Sequence, residues 1–144
     1  MKPVIEHHGV PFLERKQINL ILDKSNTNDI KNILGNPLTR SKFDNDIWIY
    51  IERKQTQSSL KNLGRMEILK NDVLVLEIND YGILKKKNFY NKKDMEDINF
   101  VKSTTTDQYG KTSFIYEFMS SMRQKMNDPL GNRSKKRSEE INQR

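Results

Sequence analysis

The sequence predicts an α+β domain in which two short N-terminal helices pack on a three-stranded antiparallel meander, an ααβββ order followed by a C-terminal amphipathic helix and a disordered basic tail. Three observations carry this: apolar residues at helical spacing in the first 35 positions, three segments that alternate with the period of a strand, and an aromatic and methionine stripe over 112–126. With 144 residues and 34% apolar content there is room for one modest core and no second domain.

Residues 1–11 hold two prolines and a glycine without periodicity, which reads as an extended tether ordered by a partner or a membrane. Residues 12–90 form the domain. Phe12, Leu13, Ile18, Leu20, Ile21 and Leu22 fit a helix that turns its apolar face to a core. A second helix starts at the cap Asn26 with Asp29 at its third position, buries Ile30, Ile33 and Leu34, and stops at Gly35 and Pro37. Loss of that cap costs about 1 kcal/mol.

In 46–55, Ile47, Ile49 and Ile51 alternate with Trp48, Tyr50 and Glu52, the pattern of a strand. The polar run QTQSSLKN is a predicted loop, 66–78 a second strand, and Asn79-Asp80-Tyr81-Gly82 the turn into a third over 83–89. Both faces of the first two strands are apolar, and two helices cover only one. Residues 91–128 are therefore divided into a polar connector and a helix over 112–126, whose Phe114, Ile115, Phe118, Met119, Met122 and Met126 are expected to cover the second face and to bury Trp48 and Tyr50. Residues 129–144 are charged, lack aromatics and read as disordered.

Composition narrows the chemistry. Without cysteine there is no disulfide, thiolate nucleophile or cysteine-rich zinc site. His7 and His8 are adjacent and, in an extended segment, point to opposite sides, a poor chelating pair, so no metal or other cofactor is expected. No phosphate loop, G-x-S-x-G or catalytic lysine motif is present, and the expectation is a protein that is not an enzyme. The opening residues lack a charged-then-apolar signal pattern and no apolar run reaches membrane-spanning length, so the chain as given reads as soluble. The net charge of +7 is local: 85–93 carries five lysines and no acid, and 123–144 adds +4. Lys85, Lys86, Lys87, Lys92 and Lys93 are the expected anionic-surface contacts. The absence of alanine beside abundant Lys, Asn and Ile offers a second account, an AT-rich genome biasing residue choice.

The most specific constellation is Ile33-Leu34-Gly35-Asn36-Pro37-Leu38, then Phe43, then Asp46-Ile47-Trp48-Ile49-Tyr50-Ile51-Glu52-Arg53. Physically, a helix stops, proline stiffens its exit, an aromatic anchors the crossing loop and a Trp/Tyr strand begins. In this order it resembles the BamE/SmpA family of outer-membrane assembly factors, in which a helix ending L-G-x-P is followed by phenylalanine and W-x-Y. The match runs from near Gly9 to about residue 90, and the later helix with Leu130-Gly131-Asn132 is similar to a longer alphaproteobacterial form. The chain departs from the family at Ser41-Lys42, where Asp-Pro is frequent.

The resemblance implies a non-enzymatic scaffold lipoprotein of the BAM complex, at the periplasmic face of the cell outer membrane. It stabilises contacts between BamA-like and BamD-like subunits and, in some members, binds the anionic phospholipid phosphatidylglycerol. It also implies an N-terminal lipidated cysteine, whereas this chain begins Met1-Lys2-Pro3. By position, Phe12, Leu13, Phe43 and Arg53 match residues used for partner or lipid contact, although the same residues serve equally as core packing or a solvated edge charge. Two other classes compete: a small nucleic-acid-binding domain using the lysines with Phe89 and Tyr90, which ranks lower, and a secreted inhibitor on a similar layout.

Overall fold

Residues 46–57, paired on both sides, are the centre of the sheet. The computed structural model describes residues 4–57, 66–96 and 109–127. Its order is β1 (Val4–Gly9), α1 (Leu13–Gln17), α2 (Thr27–Leu34), β2 (Thr39–Lys42), β3 (Asp46–Gln57), β4 (Met66–Ile78), β5 (Leu84–Tyr90), α3 (Lys92–Glu96) and α4 (Tyr109–Asn127). The strands form one antiparallel sheet, β1-β3-β4-β5, with β2 also paired to β3. Because β4 occupies one side of β3 along its whole length, β1 and β2 share the other side end to end, opposite 52–57 and 46–49 respectively.

This corrects the expected three-strand meander behind two helices: the described residues form five strands and four helices. The tether is in part a strand, β1, and the crossing loop is in part β2. Both were hidden because their sequences do not alternate between apolar and polar: all six residues of β1 are exposed, and β2 reads TRSK. Their order comes from backbone pairing with β3, a contact between positions about 45 residues apart for β1 that no local pattern announces. The first helix is also shorter than expected. It ends at Gln17, and the chain then turns through Asp23 in the left-handed region, where the Ser25 hydroxyl accepts from Ile21 N–H.

Other elements form where expected. α2 carries a reciprocal capping box, Asn26 accepting from Asp29 N–H at 2.9 Å and Asp29 accepting from Asn26 N–H at 3.1 Å. In the β4–β5 turn, the Asn79 side chain accepts from Tyr81 and Ile83 N–H, and Gly82 takes a φ of +77°. α3 lies in the expected polar connector and repeats the reciprocal cap with Asn91 and Asp94. The expected QTQSSLKN loop and the basic tail fall outside the described residues, as does the Met126 side chain.

The sheet carries a core on each face. One contains Leu13, Leu20, Ile30 and Leu34 from the N-terminal layer against Trp48, Tyr50, Leu74, Leu76, Ile78 and Leu84. The other sets Met95, Met119 and Met122 against Ile47, Ile49, Ile51, Val73 and Val75, with Phe43, Phe114, Ile115 and Phe118 packed around them. α4 does cover the second face, but the expectation that it lies on Trp48 and Tyr50 is wrong; those two are buried beneath α1 and α2. With both faces apolar, alternation fixes which residues share a face and not which helix covers it. The allocation is set by polar anchors: Tyr50 Oη donates to Gly35 O at 2.8 Å beneath α2, while Lys111 of α4 meets Glu77 at 3.1 Å on the opposite face.

Candidate interaction surface

α1 has only five residues, too few to hold itself in water. It is tied down by Glu52, a carboxylate with 1% exposure that accepts from Phe12 N–H at 3.0 Å, Leu13 N–H at 3.1 Å and the His7 ring at 2.9 Å, with the Lys70 ammonium 3.4 Å away. Burial alone would push this carboxyl up, but the bonds from His7, Phe12 and Leu13 and the charge of Lys70 hold it below the usual value. Directly across the strands lies Asp72, where desolvation outweighs Lys70 at 3.4 Å and the carboxyl is raised. Lys70 sits between the two carboxylates; burial disfavours its charge, yet Asp72 and Glu52 prevail and raise it.

The knot has a geometric consequence for the surface. It holds Phe12 at a φ of 58°, a left-handed conformation rare for an aromatic, so Leu13 turns fully inward while Phe12 stands more than half exposed. Arg15 and Lys54 approach the Phe12 ring to 5.8 and 6.0 Å. Beyond α1, Ile18 and Ile21 are more than half exposed and Leu22 nearly so, although helical spacing had put them in the core. The early end of α1 leaves only Leu20 of that segment buried. Beside this ridge a cleft of about 540 Å³ is lined by Val10, Pro11, Ile33, Leu38, Lys16 and Lys31 among others, with no carboxylate among its lining residues. Its rim residue Leu38 is also exposed, and Lys31 lies 5.6 Å over the Trp48 ring.

The four positions assigned to partner or lipid contact are not brought together. Phe12 and Leu13 belong to the N-terminal layer, whereas Phe43 is half-buried on the opposite face, its ring 6.0 Å from Phe114. Arg53, toward the far end of β3, is half-buried, with its Nε enclosed and without a hydrogen-bond partner among the described residues, and desolvation lowers its pKa. Its cross-strand neighbour Asn71 is fully buried, with both amide atoms unpartnered among the described residues.

The lysine run is dispersed as well. Lys85 occupies a bulge and meets Asp23 at 2.8 Å, Lys86 lies 4.0 Å from Glu77, and Lys92 donates to Ile68 O. Lys87 turns onto the first face and donates to Gln17 O and Leu20 O at 2.8 and 2.9 Å, satisfying carbonyls at and beyond the end of α1; burial lowers its pKa. Lys93 is exposed on α3. Four of the five thus have intramolecular contacts, so net charge in the sequence overstated the free charge at the surface. The acid knot went unseen in sequence because its members, His7, Glu52, Lys70 and Asp72, come from three strands.

Among the described residues no helix is long and apolar enough to cross a membrane. The chain matches no protein-family model and no curated protein.

Proposed function

We propose that this protein is a non-enzymatic scaffold that docks on another protein through its N-terminal layer, as the BamE/SmpA-like constellation implies for a subunit of an outer-membrane β-barrel assembly machine. The observation that carries the reading is the exposed apolar ridge of Phe12, Ile18, Ile21 and Leu22 beside a cleft rimmed by Leu38, flanked by Arg15, Lys16 and Lys31. Large apolar side chains clustered within one short, cation-flanked segment are the mark of a contact surface, whereas scattered single ones are ordinary. The deepest carboxylate, Glu52, supports the same reading because its oxygens already serve to fix the backbone of α1. On this reading the partners are BamA-like and BamD-like subunits, and the site of action is the periplasmic face of the outer membrane.

The flanking cations favour one second reading, binding of anionic phospholipid by the same surface. One experiment addresses both. Phe12→Ser combined with Ile18→Ser is expected to leave thermal unfolding within a few degrees of the parent and to weaken co-purification with the BamA-like or BamD-like subunit at least tenfold. Variants that bind the subunits as the parent does would exclude the ridge as the docking surface. Loss confined to phosphatidylglycerol vesicles would favour the lipid reading.

A further inference from the structure

β1 is an edge strand whose outer side pairs with no strand among the described residues. Its six residues are all exposed, including Val4 at 68% and Ile5 at 59%. Such an edge presents a row of backbone donors and acceptors ready to pair with another strand.

The inner pairing fixes which groups face out. Val10 N–H donates to Ile51 O, and the register places Val4, Glu6 and His8 opposite Gln57, Gln55 and Arg53, two residues apart each time. The even-numbered residues thus exchange hydrogen bonds with β3, and the N–H and C=O groups of Ile5 and His7 point away from the sheet, while Gly9 leaves the extended path at a φ of +87°. Side chains alternate in the same way: His7 reaches Glu52 on the α1 face, whereas Glu6 and His8 both reach Gln55 on the α4 face.

We propose that the outer edge of β1 takes β1 of a second copy of this chain, antiparallel about a two-fold axis through His7, to make one continuous sheet across two protomers. The two-fold keeps each face of the sheet on the same side, so only registers that pair odd with odd and even with even residues are allowed. Two of these give the longest overlap. Centring on Glu6 sets two like charges directly opposite each other, which is unfavourable. Centring on His7 instead pairs His7 with His7 through their outward backbone groups and brings Ile5 opposite Gly9. It also sets Glu6 of each copy opposite His8 of the other at the closer, non-hydrogen-bonded positions.

Avoiding the Glu6–Glu6 contact and facing each Glu6 with a His8 ring therefore selects one register and a like partner. Glu6 and His8 already stand 3.7 Å apart within one chain on a half-exposed face, so the second copy closes a ring of two carboxylates and two imidazoles without burying an unpaired charge. Phe12 lies beside this edge, its N–H and the His7 ring sharing one Glu52 oxygen, but the inference rests on the backbone edge of β1 and not on the function proposed above. So short a ribbon buries less than the roughly 1,200–2,000 Å² of a stable interface, and the association is a concentration-dependent equilibrium.

The test is sedimentation equilibrium of the full chain from micromolar to near-millimolar concentration, with circular dichroism as the control for folding. The parent is expected to rise from the 17.1 kDa of one chain toward twice that mass. Ile5→Pro removes an outward N–H that β3 does not use, and Glu6→Lys removes the acceptor that faces the His8 ring of the other copy; each is expected to stay at one chain's mass while remaining folded. Glu6→Lys combined with His8→Glu places a lysine opposite a glutamate and is expected to regain the dimer. A parent that stays monomeric throughout overturns the proposal, as do single variants that associate like the parent or a double variant that does not recover.

Discussion

The two faces of the sheet are held by different kinds of polar anchor. On the α1 face, Glu52 accepts from two backbone N–H groups, so the carboxylate determines the path of the chain itself. On the α4 face, Glu77 meets, among the described residues, only side chains, the Lys111 ammonium at 3.1 Å, the Asn45 amide at 3.1 Å and Lys86 at 4.0 Å. Both carboxylates are buried, yet only the first has partners that cannot be removed by substitution. An anchor on backbone is a folding constraint, whereas an anchor between side chains fixes how a preformed helix sits and is replaceable by apolar contact of the same shape.

The largest effect follows from breaking the backbone anchor. Glu52→Gln weakens the hold on Phe12 and Leu13 while Asp72 stays beside Lys70, with an expected loss of about 2 to 3 kcal/mol in chemical denaturation at neutral pH. Acid sharpens the point. Because the folded Glu52 carboxyl lies below its ordinary value of 4.5, its contribution is present above that pH and is lost as pH falls through the folded value. Asp72 has the opposite sign: raised above its ordinary 3.8, it favours the folded state as pH falls toward and below its folded value. Denaturation midpoints measured from neutral pH downward are expected to drop below about 4.5 in the parent. In Glu52→Gln that limb should disappear and leave the gain from Asp72. An unchanged acid limb in the variant would remove Glu52 from its role.

An intermediate effect tests the other face. Lys111→Met leaves Glu77 with weaker partners and is expected to cost about 2 kcal/mol, whereas Lys111→Met with Glu77→Leu returns to within about 1 kcal/mol of the parent. A double variant as unstable as the single one would make the two anchors equivalent and end the contrast.

The smallest effects separate two aromatics. Phe43→Ala, a half-buried ring against Phe114, is expected to cost about 1 to 2 kcal/mol, less than the 3 to 5 of a fully enclosed phenylalanine. Phe12→Ala is expected to change stability by no more than about 0.5 kcal/mol. Thermal melts of the two side by side decide whether Phe43 is packing and Phe12 surface.

What the sequence disclosed is what short-range chemistry determines. The Asn26 cap, the alternation around Trp48 and the Asn79 to Gly82 turn are set by neighbours within a few residues, and each forms as read. β1 and β2 were missed because a polar strand at a sheet edge owes its order to a distant partner. The helical layer was read too long because Ile18, Ile21 and Leu22 have the spacing of a buried stripe, and apolar residues at a contact surface give the same signal as a core. Leu13 and Phe12 were paired as one contact, yet a single left-handed residue sends them in opposite directions.

The second core also has a chemical signature. Its helix-side contributions include three thioethers, Met95, Met119 and Met122, all at or below 3% exposure. Methionine sulfur reacts with peroxide only when reached, and the sulfoxide it becomes is polar and ill-suited to return among isoleucines. The pace at which Met119 and Met122 are oxidised is therefore a clock for how often α4 lifts from the sheet.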